Sequence, residues 1–324
     1  MTEFNLIRTW FADLGAPRSD VVLGVGDDCA LLRIPPGQEL AVSIDTLVSG
    51  THFVPDCDPE SLGHKSLAVG LSDLAAMGAE PAWATLALTL PAELVTRRPD
   101  WIAAFARGLG DLAKAHGVRL VGGDTTRGPL SVTLQVQGLV PAGAAVRRSG
   151  AHPGDLVYVS GTLGDAGLAL RQLLGGESVD PQLRERLDRP TPRVALGMAL
   201  RGLATALIDV SDGLAADLGH ILESSGAGAD LWLESLPLSP AVAEVVAAER
   251  DWTLPLASGD DYELCFCLPP DRAGEVSALA ERVDCHLTRI GRIREDGGLQ
   301  CLGPGGTPIG LARAGFDHFA GSGE

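Results

Sequence analysis

The stretch from Leu23 to Leu32 reads Leu-Gly-Val-Gly-Asp-Asp-Cys-Ala-Leu-Leu, which sets Asp27 and Asp28 side by side in a glycine-loosened turn between apolar residues. A carboxylate taken out of water is costly unless a positive partner compensates it. No Lys or Arg lies nearby before Arg33. Four further segments share the design: Ser43-Ile44-Asp45-Thr46, Leu71-Ser72-Asp73-Leu74, Gly122-Gly123-Asp124-Thr125-Thr126 and Ile208-Asp209-Val210-Ser211-Asp212-Gly213. The simplest stabiliser for such convergent acids is a hard divalent cation, Mg²⁺ above all.

The chain has 324 residues, enough for two domains. Its hydrophobic content of 45% with 21% charged residues is that of a soluble globular protein. With aromatics at only 4%, the cores must be built from Leu, Val and Ala. The formal charge of −17 argues against nucleic acid, which needs a basic face. A nucleotide remains compatible if metal ions bridge acid and phosphate.

Cys29, Cys57, Cys265, Cys267, Cys285 and Cys301 include no Cys-x-x-Cys pair, and Cys265 and Cys267 lie in an apolar run on one strand face. Buried reduced thiols are expected, rather than disulfides or a zinc site. The segment Met1-Thr2-Glu3-Phe4-Asn5 has no basic n-region, and no uninterrupted apolar stretch is long enough to span a membrane. A reduced, cytoplasmic protein is expected.

Along the chain, Phe4, Leu6, Ile7, Trp10, Phe11 and Leu14 mark a helical stripe that Gly15 ends. Residues 21–25 and 40–45 read as strands carrying Asp27, Asp28 and Asp45 at or beyond their ends, with His52 in the loop that follows. A helix spans Glu60–Met77, with Asp73 deep among small apolar residues. Strands are expected over 83–90, 118–121 and 131–140, with a helix through Trp101 and Ala113 between the first two. Gly122 to Gly128 reads as a turn whose glycines let backbone approach a phosphate, while Asp124 and its hydroxyl neighbours hold metal.

The polar stretch Val146 to Asp155 is the best domain boundary and holds Arg147-Arg148, suited to a phosphate contact. The expected domains are residues 1–149 and 150–324. In the second, strands at 156–160 and 207–210, helices to Leu174 and over 194–206, and a strand at 264–268 frame two acidic turns. One carries Asp209, Ser211 and Asp212; the other is Ser258-Gly259-Asp260-Asp261-Tyr262-Glu263.

No P-loop, kinase His-Arg-Asp or Asp-Phe-Gly set, Gly-x-Ser-x-Gly elbow, His-Glu-x-x-His or EF-hand loop occurs. What remains is acids at strand ends and helix starts, typical of an Mg²⁺–nucleotide site assembled from distant segments. Gly26-Asp27-Asp28-Cys29-Ala30, Ser43 to Val48, Leu71 to Gly78, Gly122 to Thr126, Ile208 to Gly213 and Asp261-Tyr262-Glu263-Leu264 occur in that order. In order and spacing they resemble the thiamine-monophosphate kinase family, of the superfamily that includes aminoimidazole-ribotide synthetase and selenophosphate synthetase. The resemblance runs from Phe4 to Phe319.

The resemblance implies an α/β (α+β) subunit of the two-domain aminoimidazole-ribotide synthetase-like fold. Its N-terminal domain would bind metal and ATP and pair in a homodimer, with ATP and Mg²⁺ between the domains. Carried over by motif, Asp28, Ser43, the Ile44 backbone, Asp45, Asp73, Asp124, Asp209 and Asp212 are the implied metal ligands. Gly123, Asp124, Arg148 and Ser211 are the implied nucleotide contacts, and His52, Asp260 and Phe316 the contacts to thiamine phosphate. Asp45, Asp73 and Arg148 are assigned to catalysis. Two positions depart from the family pattern: Asp260 replaces its usual Glu, and Phe316 its usual Tyr or Trp.

The implied reaction is direct in-line transfer of the ATP γ-phosphoryl group to thiamine monophosphate. A phosphate monoester is mostly a dianion at pH 7 and needs no strong general base. Repulsion among anions is the obstacle, about 4 kcal/mol per pair of unit charges 4 Å apart at an effective dielectric of 20. An aromatic such as Phe316 in an acidic pocket also suits a cationic thiazolium. The rival readings are an amide- or selenide-activating enzyme of the same superfamily, and a non-enzymatic acidic metal-binding protein. The first Cys of the chain, Cys29, sits inside the acid motif, and the second rival leaves Gly122-Gly123-Asp124 and Asp209-Ser211-Asp212 unexplained.

Overall fold

A computed structural model of the chain describes residues 3–311 and residue 315. The chain divides into two compact units, one taking in the chain up to Ala145 except Ala75–Gly78, the other those four residues and the chain from Val146 onward. The first unit contains α1 (Glu3–Trp10), β1 (Val21–Leu23), β2 (Leu31–Leu32), β3 (Gln38–Val48) and most of α2 (Pro59–Ala76). It continues with β4 (Glu80–Leu90), α3 (Ala92–Arg97), α4 (Pro99–Ala115), β5 (Arg119–Arg127) and β6 (Ser131–Pro141).

Its main sheet has the order β3-β6-β4-β5, with β4 and β5 parallel and the other pairs antiparallel. Alternation builds it: Val132, Leu134 and Val136 of β6 are buried, while Ser131, Thr133 and Gln135 are half-buried on the other face. Helix α2 lies over the apolar face, and a Cβ on Gly70 would come within 2.9 Å of Val136. Helices α2 and α4 approach so closely that a Cβ on Gly108 would sit 1.8 Å from the Glu60 carbonyl oxygen.

The second unit contains β7 (Leu156–Ser160), α5 (Asp165–Leu174), α6 (Pro181–Asp188), α7 (Val194–Ala199), β8 (Ala206–Val210) and α8 (Leu214–Ser225). There follow β9 (Gly228–Trp232), α9 (Pro240–Glu249), α10 (Thr253–Ala257), β10 (Glu263–Leu268), α11 (Val276–Val283), β11 (Leu287–Arg294), β12 (Gly298–Leu302) and β13 (Pro308–Ile309). Its sheet has the order β13-β12-β9-β11-β7-β10-β8, with only β12 and β9 parallel. Cys265, Cys267, Val157, Val159, Ile208 and Val210 share one core with Leu214, Leu218, Ile221 and Leu222 of α8. On the other face of β7 and β10, Tyr158 and Phe266 stack with ring centroids 5.6 Å apart. All six cysteines are free, and Cys265, Cys267 and Cys301 are buried.

Three elements differ from the sequence expectation. Gly122 to Arg127 is not a turn but the second half of β5, because β4 offers it a parallel partner from Trp83 opposite Arg119 to Leu90 opposite Arg127. The helix expected over 194–206 stops at Ala199, where Leu200 begins a tight turn through Gly202, at φ +68°. The N-terminal helix stops at Trp10, and Gly15, at φ +95°, passes so near β5 that a Cβ would lie 2.3 Å from the Val118 carbonyl oxygen. Among the described residues no helix is long and apolar enough to cross a membrane.

Candidate active site

In the first unit three of the candidate donors, Ser43, Asp45 and Asp73, come together between β3 and α2. Ser43, Asp45 and Leu47 alternate along the outer strand β3 toward α2, where Leu47 is buried and the two polar residues half-buried. The Ser43 hydroxyl donates to Asp73 Oδ2 from α2. A Cβ on Gly70, one turn before Asp73, would stand 3.6 Å from Asp45 Oδ2. Strand period two and helix spacing i,i+3 thus bring Ser43, Asp45 and Asp73 to one place. Asp73 is half-buried within the otherwise buried stretch Lys65–Ala76, its Oδ2 turned to the Ser43 hydroxyl of β3.

The other first-unit candidates are placed differently. Asp27 and Asp28 are exposed in the turn between β1 and β2, with the Asp28 amide donating to Asp27 Oδ1 at 2.8 Å. The reading of these two as carboxylates short of a counter-charge is therefore corrected: water solvates them. Ile44 is 60% exposed, its side chain on the face opposite Ser43 and Asp45. Asp124 is exposed and shares a cross-sheet row with Ala87, Thr133 and Thr46, whereas Asp45 belongs to the neighbouring row with Leu134, Leu86 and Gly123. By strand alternation, Asp124 is on the opposite face from Asp45. Gly123 has φ +147°, and a Cβ would sit 1.9 Å from the Leu86 carbonyl oxygen. The closeness that demands glycine here is to β4.

His52 is clasped by its own loop. The Val48 amide donates to His52 Nδ1 at 3.1 Å, and the His52 amide donates to the Val48 carbonyl at 2.9 Å. An accepting Nδ1 places the proton of the neutral ring on Nε2.

In the second unit the candidates gather beyond the end of β8, the edge strand. Asp209 is 4% exposed, and alternation puts it on the face opposite Ile208 and Val210. Beyond it the loop Ser211–Gly213 turns into α8. The Asp260 amide donates to the Ser211 carbonyl at 2.8 Å, and the Tyr262 amide to the Val210 carbonyl at 2.8 Å. The two acidic turns thus lie side by side. Asp260 and Tyr262 both hold left-handed backbone, φ +63° and +50°, and the Tyr262 hydroxyl donates to Asp260 Oδ1 at 3.0 Å. Strained non-glycine residues of this kind concentrate at functional sites.

Gly315 passes against the loop, since a Cβ on it would lie 2.5 Å from Ala216 Cβ and 3.0 Å from the Asp212 carbonyl oxygen. Phe316 lies outside the described residues. The Arg148 side chain is exposed, while its backbone is tied in: Leu207 donates to the Arg147 carbonyl at 2.9 Å and Ser225 Oγ to the Arg148 carbonyl at 3.5 Å.

Two sets of residues around this loop were not singled out as site residues by sequence. Asp217, in the first turn of α8, accepts the amides of Ser211, Asp212 and Gly213 on one oxygen at 3.0, 3.1 and 3.1 Å. Burial, with repulsion from Asp212, still pushes its carboxyl up to about 7 against the pull of those amides. Glu263 is fully buried and accepts from Arg193 Nη2 and Arg186 Nη2 at 2.6 and 2.8 Å on one oxygen. Its other oxygen accepts from Arg193 Nε at 2.7 Å and from Ser160 Oγ. Beside it, Asp261 accepts the Gly164 amide; burial raises its carboxyl well above the usual range despite Arg186. An acid in the first helical turn after Ser-Asp-Gly, and a Glu alternating with apolar neighbours at a strand start, are the sequence signals.

Among the described residues no group of three or more His, Cys, Asp or Glu is arranged to hold a metal ion. Mg²⁺ commonly takes only one or two carboxylates and completes its shell with water and substrate phosphates. The all-oxygen sets Ser43–Asp45–Asp73 and Asp209–Ser211–Asp212 fit that chemistry.

The site's class is set by the comparisons. Residues 26–140 match the N-terminal domain of the AIR synthase related proteins, and residues 152–302 their C-terminal domain. The two units are therefore those of an AIR synthase-like α/β protein. The chain is 48% identical over 324 residues to the thiamine-monophosphate kinase of Escherichia coli K12, covering 98% of each. The crystal structure of thiamine-monophosphate kinase from Stenotrophomonas maltophilia K279a matches with a TM-score of 0.83 at 47% identity, over 90% of this chain and 93% of that one. AaThiL complexed with AMPPCP and TMP matches with a TM-score of 0.77 at 30% identity, over 89% of each chain. The chain belongs to the thiamine-monophosphate kinase family.

Proposed function

We propose that this chain transfers the γ-phosphoryl group of ATP to the phosphate of thiamine monophosphate, giving thiamine diphosphate and ADP. The observation that carries the reading is 48% identity along 98% of the chain to a thiamine-monophosphate kinase. A structural relative bound to AMPPCP and TMP supports the same pair of substrates. The superfamily rivals in amide or selenide chemistry lack comparable support.

An acceptor phosphate oxygen attacks the γ-phosphorus as the bond to the β-phosphate oxygen breaks, and ADP leaves. The acceptor is already mostly dianionic at pH 7, so the protein's task is positioning and charge control rather than proton abstraction. In this reading Ser43, Asp45 and Asp73 would hold Mg²⁺ in the first unit, and Asp209 and Asp212 would hold it in the second. Asp28, Asp124 and the Ile44 carbonyl are further candidate ligands by motif, Asp124 standing on the sheet face opposite Asp45. Mg²⁺, when bound, would supply the positive charge that lets anionic phosphates approach such carboxylates.

The family motif assigns Ser211, Gly123 and Arg148 to the nucleotide, and the exposed Arg148 guanidinium is suited to a phosphate. Asp260, fixed by Tyr262 and the Ser211 carbonyl, is a candidate contact to the cationic acceptor, and the family motif assigns His52 and Phe316 to the same acceptor. Arrangement as a homodimer is part of the proposal. Leu40, Val42, Ile44 and Val48 on β3 are 42%, 54%, 60% and 37% exposed, an apolar row on an outer strand suited to a second copy.

The test is product analysis with ATP, Mg²⁺ and thiamine monophosphate, omitting one component at a time. Thiamine diphosphate formed one-to-one with ADP, and only in the full mixture, is the expected result. ATP turnover with a different acceptor alone overturns the substrate assignment. An Asp73→Asn variant with full activity overturns the assignment of that residue.

A further inference from the structure

The loop Ser211–Gly213 carries side chains assigned to nucleotide and metal, yet most of what fixes its backbone comes from elsewhere. Its amides converge on a single oxygen of Asp217, at 3.0 to 3.1 Å. Three donors from consecutive residues ordinarily form a concavity for an exogenous anion. Here the chain fills it with a carboxylate of its own, 3% exposed. The Ser211 carbonyl meanwhile accepts the Asp260 amide, and the Val210 carbonyl accepts that of Tyr262.

Gly213 closes the loop at φ +120°, where a Cβ would meet Ala257 Cα at 2.7 Å. With amides drawn to one side and carbonyls held on the other, the backbone at Ser211 and Asp212 has one arrangement.

Resting on the proposed nucleotide and metal role of Ser211 and Asp212, we infer that Asp217 is a positioning residue for the nucleotide. It touches no substrate, and acts by holding the Ser211–Gly213 backbone so that both side chains are presented in one geometry. Asp217 gathers all three amides on one oxygen, and an asparagine in its place would offer a neutral acceptor and an NH2 group that cannot accept. Its replacement by Asn preserves shape but weakens all three bonds together. Loss of a partner that orients metal-binding residues typically costs 10–100-fold in affinity.

The test uses three proteins, wild type, Asp217→Asn and Asp212→Asn, and two readouts independent of turnover. Amide hydrogen exchange is measured on the protein without ligands, and calorimetry gives Kd and stoichiometry for AMPPCP with Mg²⁺. For Asp217→Asn the expected result is at least tenfold faster exchange at Ser211–Gly213 and a Kd raised about tenfold at unchanged stoichiometry. A variant that was merely less well folded would bind with reduced stoichiometry and unchanged Kd, and that result overturns the proposal. If Asp212→Asn weakens binding while Asp217→Asn does not, Asp217 is not a positioning residue but the reading of the loop stands. If Asp212→Asn also binds AMPPCP and Mg²⁺ normally, the loop's assigned role fails, and the inference with it. Should Asp217→Asn be insoluble, Asp217→Glu tests the same idea by forcing a charged carboxylate one methylene further into the loop, with the same Kd criterion.

Discussion

Replacing Glu263 by glutamine keeps the size of the side chain and removes the charge that two arginines share. Glu263 is 0% exposed, and its two oxygens accept three guanidinium hydrogen bonds at 2.6 to 2.8 Å, with Ser160 Oγ as a further donor. Burial opposes a charge on Arg193, and Glu263 outweighs it, raising the Arg193 pKa. Glutamine can present only one acceptor oxygen; its amide group would face a guanidinium donor. Breaking a buried ion pair from one side costs about 3–5 kcal/mol, chiefly because the remaining charges stay buried. At about 2–4 °C per kcal/mol for a unit of this size, the melting temperature should fall by roughly 6–20 °C. Differential scanning calorimetry of ligand-free wild type and Glu263→Gln measures it directly. A fall of less than about 2 °C would refute the reasoning, since it would mean the arginines find water as good a partner as Glu263.

Three further outcomes follow from the geometry. Gly123→Ala should fail to give a soluble, natively folded protein, because its Cβ would lie 1.9 Å from the Leu86 carbonyl oxygen at φ +147°; a native circular dichroism spectrum and melting temperature would count against the β4–β5 register. His116 has its pKa lowered, first by burial and then by His64, so the unfolded chain protonates before the folded one. Its contribution is full above about pH 6.5 and is lost as pH falls toward the lower folded value. Urea titrations of wild type and His116→Gln should therefore diverge below that pH, with wild type the more acid-sensitive. Cys29 is exposed, while burial raises the thiol pKa of Cys265 and Cys267. A maleimide should modify Cys29 in the native protein and reach the β10 pair only on unfolding; native labelling of Cys267 would contradict the fully buried β10.

Periodicity made the strands readable wherever one face meets a core. In β6, Val132, Leu134 and Val136 alternate with polar neighbours, and the expected and observed strands nearly coincide. The Gly122 to Arg127 segment was misread for a physical reason. Glycines, hydroxyls and an acid carry turn propensity, and only a tertiary partner, β4, turns them into strand. The same holds for Leu200 to Thr205, where small apolar residues continue a helical pattern that the turn at Gly202 cuts short.

At the site, sequence exposed the residues with chemistry at their tips and hid those that hold them. Ser43, Asp45 and Asp73 could be named as oxygen donors, but their meeting rests on β3 alternation and α2 spacing converging from segments about thirty residues apart. Asp217 and Glu263 look like any helix-start acid and any strand-end acid. Their significance lies in what donates to them: three amides of one loop, and two arginines from α6 and the start of α7. Both buried carboxylates flank the pair of turns that carry Ser211, Asp212 and Asp260. In each case a buried acid holds the backbone of a turn or the strand that the turn enters. A chain with 42 acidic residues against 25 basic ones thus uses Asp217, Asp261 and Glu263 as internal acceptors at these turns.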